Sequence, residues 1–136
     1  MRGKNILVID DERQIVEILD NFLTLQGFKV KKAYDGQQGL DILKSGKQVD
    51  LIILDEKMPG MGGTVFFKEV KKLEIDVPVI VLTGSVTMSQ IDHSVKKEYK
   101  HILVKPVRLS ELLELMNKLL ASKAKGRSGR KAKKSK

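Results

Sequence analysis

The sequence contains no cysteine and no tryptophan, and its only aromatic residues are two tyrosines and four phenylalanines. Without cysteine there is no disulfide, no thiolate nucleophile and no cysteine-ligated zinc site. Because aromatic residues are scarce, the core has to be built mostly from Leu, Ile and Val. The first apolar run ends at Asp10 and is too short for a signal peptide or a membrane span. We therefore expect a cytoplasmic protein that does not associate with a membrane.

The charge of the chain is unevenly distributed. Eight of the 26 Lys and Arg lie in residues 122–136 and none of the 17 acidic residues does, so residues 1–121 hold 18 basic and 17 acidic side chains. The tail therefore carries +8 of the formal net charge of +9, and residues 1–121 carry only +1. Residues 122–136 offer nothing to bury, so we predict a domain over residues 1–121 followed by a basic, disordered tail.

Apolar segments alternate with segments of helical spacing along residues 1–121. The predicted strands cover 5–9, 28–33, 51–55, 77–82 and 101–104. The predicted helices lie between residues 11 and 27, 35 and 46, 64 and 73, 87 and 97, and 109 and 120. Such alternation favours an α/β fold in which right-handed crossovers build a five-stranded, doubly wound parallel sheet covered by five helices. An α/β barrel needs eight such units and about 250 residues.

Two details of the first helix can be predicted from the pattern. Ile15, Ile18, Leu19 and Phe22 recur at helical spacing and are expected to form its buried face. Asp11, with Gln14 three residues later, resembles a capping box at the start of the helix.

Polar side chains occur where the apolar strands end. Asp10 and Asp11 follow the first strand, Asp55 ends the third, Thr83 follows the fourth and Lys105 follows the fifth. In a parallel sheet these ends meet at one edge, which is also where ligands bind in open α/β folds. One such Asp is usually a turn residue, but four strand ends with complementary chemistry favour a functional site.

These residue types suit phosphoryl transfer. Clustered carboxylates repel one another, and a hard divalent cation, Mg²⁺ by preference or Mn²⁺, offsets that repulsion. A lysine and a hydroxyl can bind phosphoryl oxygens, and a carboxylate can accept the phosphoryl group as a nucleophile. The sequence places no His or Ser as acceptor and has no Gly-rich nucleotide loop, so the phosphoryl group must come from a donor molecule or protein.

These motifs together resemble the receiver domains of two-component response regulators, close to the single-domain chemotaxis type. The resemblance covers residues 4 to about 120 and is carried by Val8-Ile9-Asp10-Asp11-Glu12, Leu54-Asp55, Met58-Pro59-Gly60-Met61, Gly63, Thr83-Gly84 and Lys105-Pro106. It implies a flavodoxin-like sheet with the strand order 2-1-3-4-5 that the chemotaxis regulator shows.

The resemblance also implies roles for individual residues. Asp55 would be the phosphate acceptor, and Mg²⁺ would be held by Asp10, Asp11, Asp55 and the backbone carbonyl of Lys57. Lys105 would pair with phosphoryl oxygens, and Thr83 would move to bind one of them. The bond between Lys105 and Pro106 would be cis.

Further expectations concern signalling. The phosphoryl donor would be a histidine kinase or a histidine phosphotransfer protein, and the chain would not be an enzyme beyond Mg²⁺-dependent self-phosphorylation from small donors and autodephosphorylation. Phosphorylation would alter the face formed by the predicted fourth helix, the fifth strand and the last helix, and thereby a downstream protein target. Ile102 stands where relatives usually have an aromatic switch residue, so the same ring motion is not expected. The protein would be a monomer or a phosphorylation-dependent dimer.

Two other interpretations compete. A phosphatase of the haloacid dehalogenase type also uses a strand-end Asp, Mg²⁺, Thr and Lys, but it has its nucleophile on the first strand and a second Asp two residues later. Here Lys57 stands two residues after Asp55, and Glu12 two residues after Asp10. Alternatively, the tail makes weak, non-specific and salt-dependent contact with nucleic acid, although a solvated tail or linker is the simpler interpretation.

Overall fold

The computed structural model describes residues 3–58, 60–84 and 100–134, and for residues 64 and 123–134 the backbone alone. Five strands are present: β1 (Asn5–Ile9), β2 (Lys29–Ala33), β3 (Leu51–Asp55), β4 (Val79–Thr83) and β5 (His101–Val104). The described part contains four helices: α1 (Arg13–Leu25), α2 (Gly36–Lys44), α3 (Gly63–Lys72) and α4 (Leu109–Lys134). The predicted helix over 87–97 lies outside the described residues.

The strands form one parallel sheet in the order β2-β1-β3-β4-β5. The predicted fold class and strand order are thus confirmed for the sheet. Every residue of β3 and β4 is buried, which accounts for their continuous apolar sequences. β2 lies at one edge and carries three lysines, a common way to keep an edge strand from pairing further.

The core consists of two clusters on opposite faces of the sheet. One contains Phe66 and Leu40, from α3 and α2, packed beneath Leu54. The other contains Leu19 of α1 and Met116 of α4, packed on Ile53. Since neighbouring residues of a strand point to opposite faces, Ile53 and Leu54 hold helices on both sides of β3 and fix the position of Asp55, the next residue.

The predicted buried face of α1 is confirmed for three of its four residues, because Leu19 is buried and Ile15 and Phe22 pack, partly buried, against the core. Val16, Leu19 and Leu23 are buried, whereas Ile18 is 52% exposed. The helix carries two overlapping apolar stripes, and only one of them can face the sheet. The sequence pattern alone does not distinguish them.

The predicted capping box at the start of α1 is also wrong. The residue preceding the helix is Glu12, and its side chain makes no capping hydrogen bond. The end of the helix is as predicted, because Gly27 follows it with φ of 99°, a backbone conformation that glycine adopts without steric cost.

Helix α4 continues to Lys134, beyond the predicted end of the domain at residue 121. Among the side chains of α4 that the structure describes, the last buried one is Leu120, so the domain limit remains a prediction about packing. The backbone of 122–134 is helical where the sequence predicts disorder. Ala, Lys and Arg are good helix formers, which accounts for the difference. Within the described residues, no helix combines the length and the apolar character needed to cross a membrane.

Candidate functional site

The site lies at the carboxyl edge of the sheet, where buried strands end on polar residues. Asp55 and Thr83 are the last residues of β3 and β4, and Asp10 directly follows β1. All three are buried, with 5%, 2% and 1% of their surface exposed, respectively. The apolar strands therefore carry these polar groups to the rim of the core, where the burial of a charge costs free energy unless it is paired.

Lys105 brings one positive charge into this acidic region. Its Nζ donates a hydrogen bond to Asp55 Oδ1 at 3.2 Å. It also lies 3.9 Å from Asp10 Oδ2 and 3.8 Å from Glu12 Oε1. Burial lowers the pKa of Lys105, but the hydrogen bond with Asp55 and the other carboxylates outweigh burial and raise it. One ammonium thus faces three carboxylates and cannot neutralise all of them.

Asp10 is the least satisfied carboxylate of the group. Its Oδ1 accepts a hydrogen bond of 2.9 Å from the backbone N–H of Glu12. Among the described residues, its Oδ2 is the one buried side-chain polar atom without a hydrogen-bond partner, because 3.9 Å to Lys105 is too long for a hydrogen bond. Burial, followed by the nearby charge of Asp55, raises the pKa of Asp10 to about 6.

Asp55 shares this electrostatic environment. Burial raises its pKa, and the hydrogen bond from Lys105 and a backbone hydrogen bond from Lys57 only partly offset that effect. Asp11 adds repulsion and is itself exposed. Negative charge is therefore in excess at this edge of the sheet.

A divalent cation fits this group of residues. Asp10, Asp11 and Asp55 each offer a carboxylate oxygen, and the three oxygens lie within 4.8 Å of one another. The unpartnered Oδ2 of Asp10 provides an acceptor that the protein itself leaves unused. All the donors are hard oxygens, which Mg²⁺ and Mn²⁺ prefer.

Thr83 is placed beside a residue that the sequence analysis did not single out. Its Oγ1 donates a hydrogen bond of 2.7 Å to Glu56 Oε1, and its backbone carbonyl accepts one from the N–H of Lys105 at 2.7 Å. Glu56 directly follows Asp55, so its position in the chain was the available signal. Glu12, the last residue of the motif that contains Asp10 and Asp11, likewise has no predicted role although it lies beside Lys105.

Three other positions were predicted to belong to the site: Pro106, Lys57 and Ile102. The first two adjoin the site residues, and Ile102 lies away from the carboxylates. The bond between Lys105 and Pro106 is cis, as the resemblance implies. Lys57 borders Asp55 through its backbone N–H. Ile102 pairs with Val81 in the sheet and packs, partly buried, against the cluster that contains Leu54. It does not lie among the carboxylates.

Two comparisons with known proteins agree with this arrangement. Residues 6–117 match the family described as the response regulator receiver domain. The chain is 34% identical over 115 residues to the response regulator MprA of Mycolicibacterium vanbaalenii, and this region is 85% of the chain but 49% of that protein. The chain thus spans about half the length of the curated relatives it matches.

Solved structures give the same result. The response regulator TrrA of Thermotoga maritima, solved with Mg²⁺ and BeF, is 35% identical with a TM-score of 0.75, covering 85% of this chain and 98% of that one. A receiver domain from Clostridium thermocellum is 31% identical with a TM-score of 0.79, covering 89% and 97%. Receiver domains accept phosphate and bind Mg²⁺ at an acidic pocket, and the family match argues against the phosphatase alternative. The chain belongs to the response regulator receiver domain family of two-component signalling.

Proposed function

We propose that Asp55 is the phosphate acceptor of this receiver domain and that it is phosphorylated in the presence of Mg²⁺. The observation that carries the proposal is the position of its buried carboxylate, 3.2 Å from Lys105 and within one group of oxygens with Asp10 and Asp11. A phosphorylated carboxylate gains negative charge and needs positive groups nearby. Lys105 is one such group, and a cation held by the three carboxylates would be the other.

The donor would be a phosphohistidine of a histidine kinase or of a histidine phosphotransfer protein. A carboxylate oxygen of Asp55 attacks the phosphorus, and the new O–P bond forms as the P–N bond to the imidazole breaks. The bonding electron pair returns to the imidazole nitrogen, which takes up a proton from solvent. The same attack on acetyl phosphate releases acetate and accounts for self-phosphorylation from small donors.

The residues around Asp55 have separate tasks in this proposal. Asp10, Asp11, Asp55 and the backbone carbonyl of Lys57 hold the cation, which when bound supplies positive charge against the carboxylates and the incoming phosphoryl group. Lys105 exchanges its carboxylate partner for phosphoryl oxygens, which suit an ammonium as a point charge. Thr83 donates its hydroxyl proton to one phosphoryl oxygen.

The proposed output surface comprises β5, α4 and the predicted helix over 87–97. A shallow cleft of about 330 Å³ lies between β5 and α4, lined by Leu103, Glu111, Glu114, Leu115 and Lys118. Ile102 lies in the same strand and replaces the aromatic switch residue of relatives, so a change at Thr83 would reach this surface by repacking a branched side chain. A downstream protein in the cytoplasm, or a second copy of the chain, would bind there.

The decisive experiment measures the intact mass of the protein after incubation with acetyl phosphate. We expect one added phosphoryl group with Mg²⁺ and none with a chelator. Asp55→Asn should lose the label, whereas Asp41→Asn, at an exposed position on α2, should keep it. Equal labelling of Asp55→Asn, or an unlabelled wild type, would refute the assignment.

A second candidate function concerns the basic tail. Eight Lys or Arg without one acidic residue in 122–136 favour weak, non-specific binding of nucleic acid through its phosphates. Retention on DNA that decreases steeply with salt and disappears on truncation after Ala121 is the expected result. Retention that survives the truncation would assign binding to the domain instead.

A further inference from the structure

We infer that Glu56 is a positioning residue that competes with the phosphoryl group for the hydroxyl proton of Thr83 and thereby stabilises the unphosphorylated state. The inference rests on the proposed function of Asp55. Its starting point is the 2.7 Å hydrogen bond that Thr83 Oγ1 donates to Glu56 Oε1.

The competition follows from the chemistry of a hydroxyl group, which has a single proton to donate. While this proton is given to Glu56, it is not available to an oxygen of a phosphoryl group on Asp55. Phosphorylation therefore has to break a hydrogen bond to a charged acceptor, which is among the stronger hydrogen bonds in proteins.

The backbone of Glu56 keeps this competitor in place. Its N–H donates to Leu82 O at 2.9 Å, and its carbonyl accepts from Gly63 N, the first residue of α3, also at 2.9 Å. The residue is thus fixed to the end of β4 on one side and to the start of α3 on the other. A substitution of the side chain leaves both of these backbone bonds possible.

The hydrogen bond also joins the site into one chain of contacts. Glu56 binds the side chain of Thr83, the carbonyl of Thr83 binds the N–H of Lys105, and Nζ of Lys105 binds Asp55. Release of Thr83 from Glu56 is therefore coupled to the residue that contacts the phosphate acceptor. A ligand shifts such an equilibrium only by its differential affinity for the two states, so weakening the bond to Glu56 should raise the affinity for a phosphoryl mimic.

The test compares two neutral variants of similar length, Glu56→Gln and Glu56→Met. Both remove the negative charge beside the phosphoryl group, but Gln keeps an amide oxygen that can accept from Thr83, whereas the thioether of Met is a poor acceptor. Beryllofluoride affinity at fixed Mg²⁺, followed by amide NMR of the full chain, should be roughly three- to tenfold higher for Glu56→Met than for Glu56→Gln. The wild type should bind most weakly.

The same pair in a Thr83→Val background separates the competition from a general structural effect. Without the hydroxyl there is nothing to compete for, so the two variants should bind beryllofluoride equally. Equal affinities with Thr83 present, or the same ratio after Thr83→Val, would overturn the role of Glu56 and leave the proposed function intact. If the wild type binds no beryllofluoride, or Asp55→Asn binds it equally well, the proposed function fails and the inference fails with it.

Discussion

Strand β3 has a buried carboxylate at each end, and the surroundings shift the pKa values of the two in opposite directions. Asp50, which directly precedes the strand, accepts hydrogen bonds from the backbone N–H of Asn5 at 2.8 Å and from Gln48 Nε2 at 2.9 Å. Burial opposes its ionisation, but these hydrogen bonds outweigh burial and lower its pKa. At the other end, the pKa of Asp55 is raised.

The difference separates a structural carboxylate from one that is prepared for a ligand. The charge of Asp50 is satisfied by donors from within the chain, so it favours the folded state. The charges of Asp55 and Asp10 exceed what Lys105 can neutralise, and one oxygen of Asp10 has no hydrogen-bond partner. A bound cation can neutralise this excess negative charge and thereby stabilise the folded protein, and a phosphoryl group can then bind beside it.

The largest expected effect is on the structural side of this comparison. Asp50→Ala should lower the free energy of unfolding by about 2–3 kcal/mol, because the half-buried backbone N–H of Asn5 loses a charged acceptor. Urea denaturation measures this loss. Asp41→Ala, at an exposed position, should change stability by less than about 0.5 kcal/mol. An equally small effect for Asp50→Ala would contradict the proposed difference between Asp50 and Asp55 at the two ends of β3.

A smaller loss is expected when the shared ammonium is removed from the site. Lys105→Ala should destabilise the metal-free protein by about 1–2 kcal/mol, because Asp55 loses its partner while remaining buried. Mg²⁺ should then restore more stability to the variant than it adds to the wild type. Lys72→Ala is the control, since Lys72 pairs with Glu69 while 73% exposed. A metal-free Lys105→Ala as stable as the wild type would contradict the proposed charge balance.

The pH dependence of stability gives the smallest expected difference. Because the folded pKa of Asp50 is depressed, its contribution is fully present above its unfolded pKa, near 3.9, and is lost as the pH falls through the folded value. The stability gap between the wild type and Asp50→Asn should therefore be constant near neutral pH and close in acid. A gap that widens below pH 4 would mean that the sign of the shift is wrong.

The sequence was sufficient for the parts of the structure that depend on chain pattern. The alternation of apolar segments with segments of helical spacing predicted a parallel sheet, and strand ends at Asp10, Asp55 and Lys105 predicted one shared edge. The sequence did not predict which of several apolar side chains at similar helical spacing would be buried. α1 has two apolar stripes, and only packing selects Val16 over Ile18 as a core residue.

Hydrogen bonds between residues far apart in the chain could not be predicted from the sequence either. Asp50 lies in a polar loop without a motif, and its main donor, Asn5, is 45 residues away in the chain. Glu56 and Thr83 are 27 residues apart and meet only because β3 and β4 pair. The position of Glu56 next to Asp55 draws attention to the residue, but no local pattern identifies the partner in either contact, since charged residues beside strand ends are common in any α/β fold.

The most direct test of the account is the effect of Mg²⁺ on the unfolding free energy of Asp10→Asn. Asn keeps an oxygen for the N–H of Glu12 but removes the negative charge whose oxygen has no hydrogen-bond partner. Without metal the variant should be about 1 kcal/mol more stable than the wild type, because a destabilising charge is gone. Saturating Mg²⁺ should stabilise the wild type and leave the variant unchanged. A metal-free variant less stable than the wild type, or equal stabilisation of both proteins by Mg²⁺, would contradict the claim that this edge of the sheet is built to hold a cation.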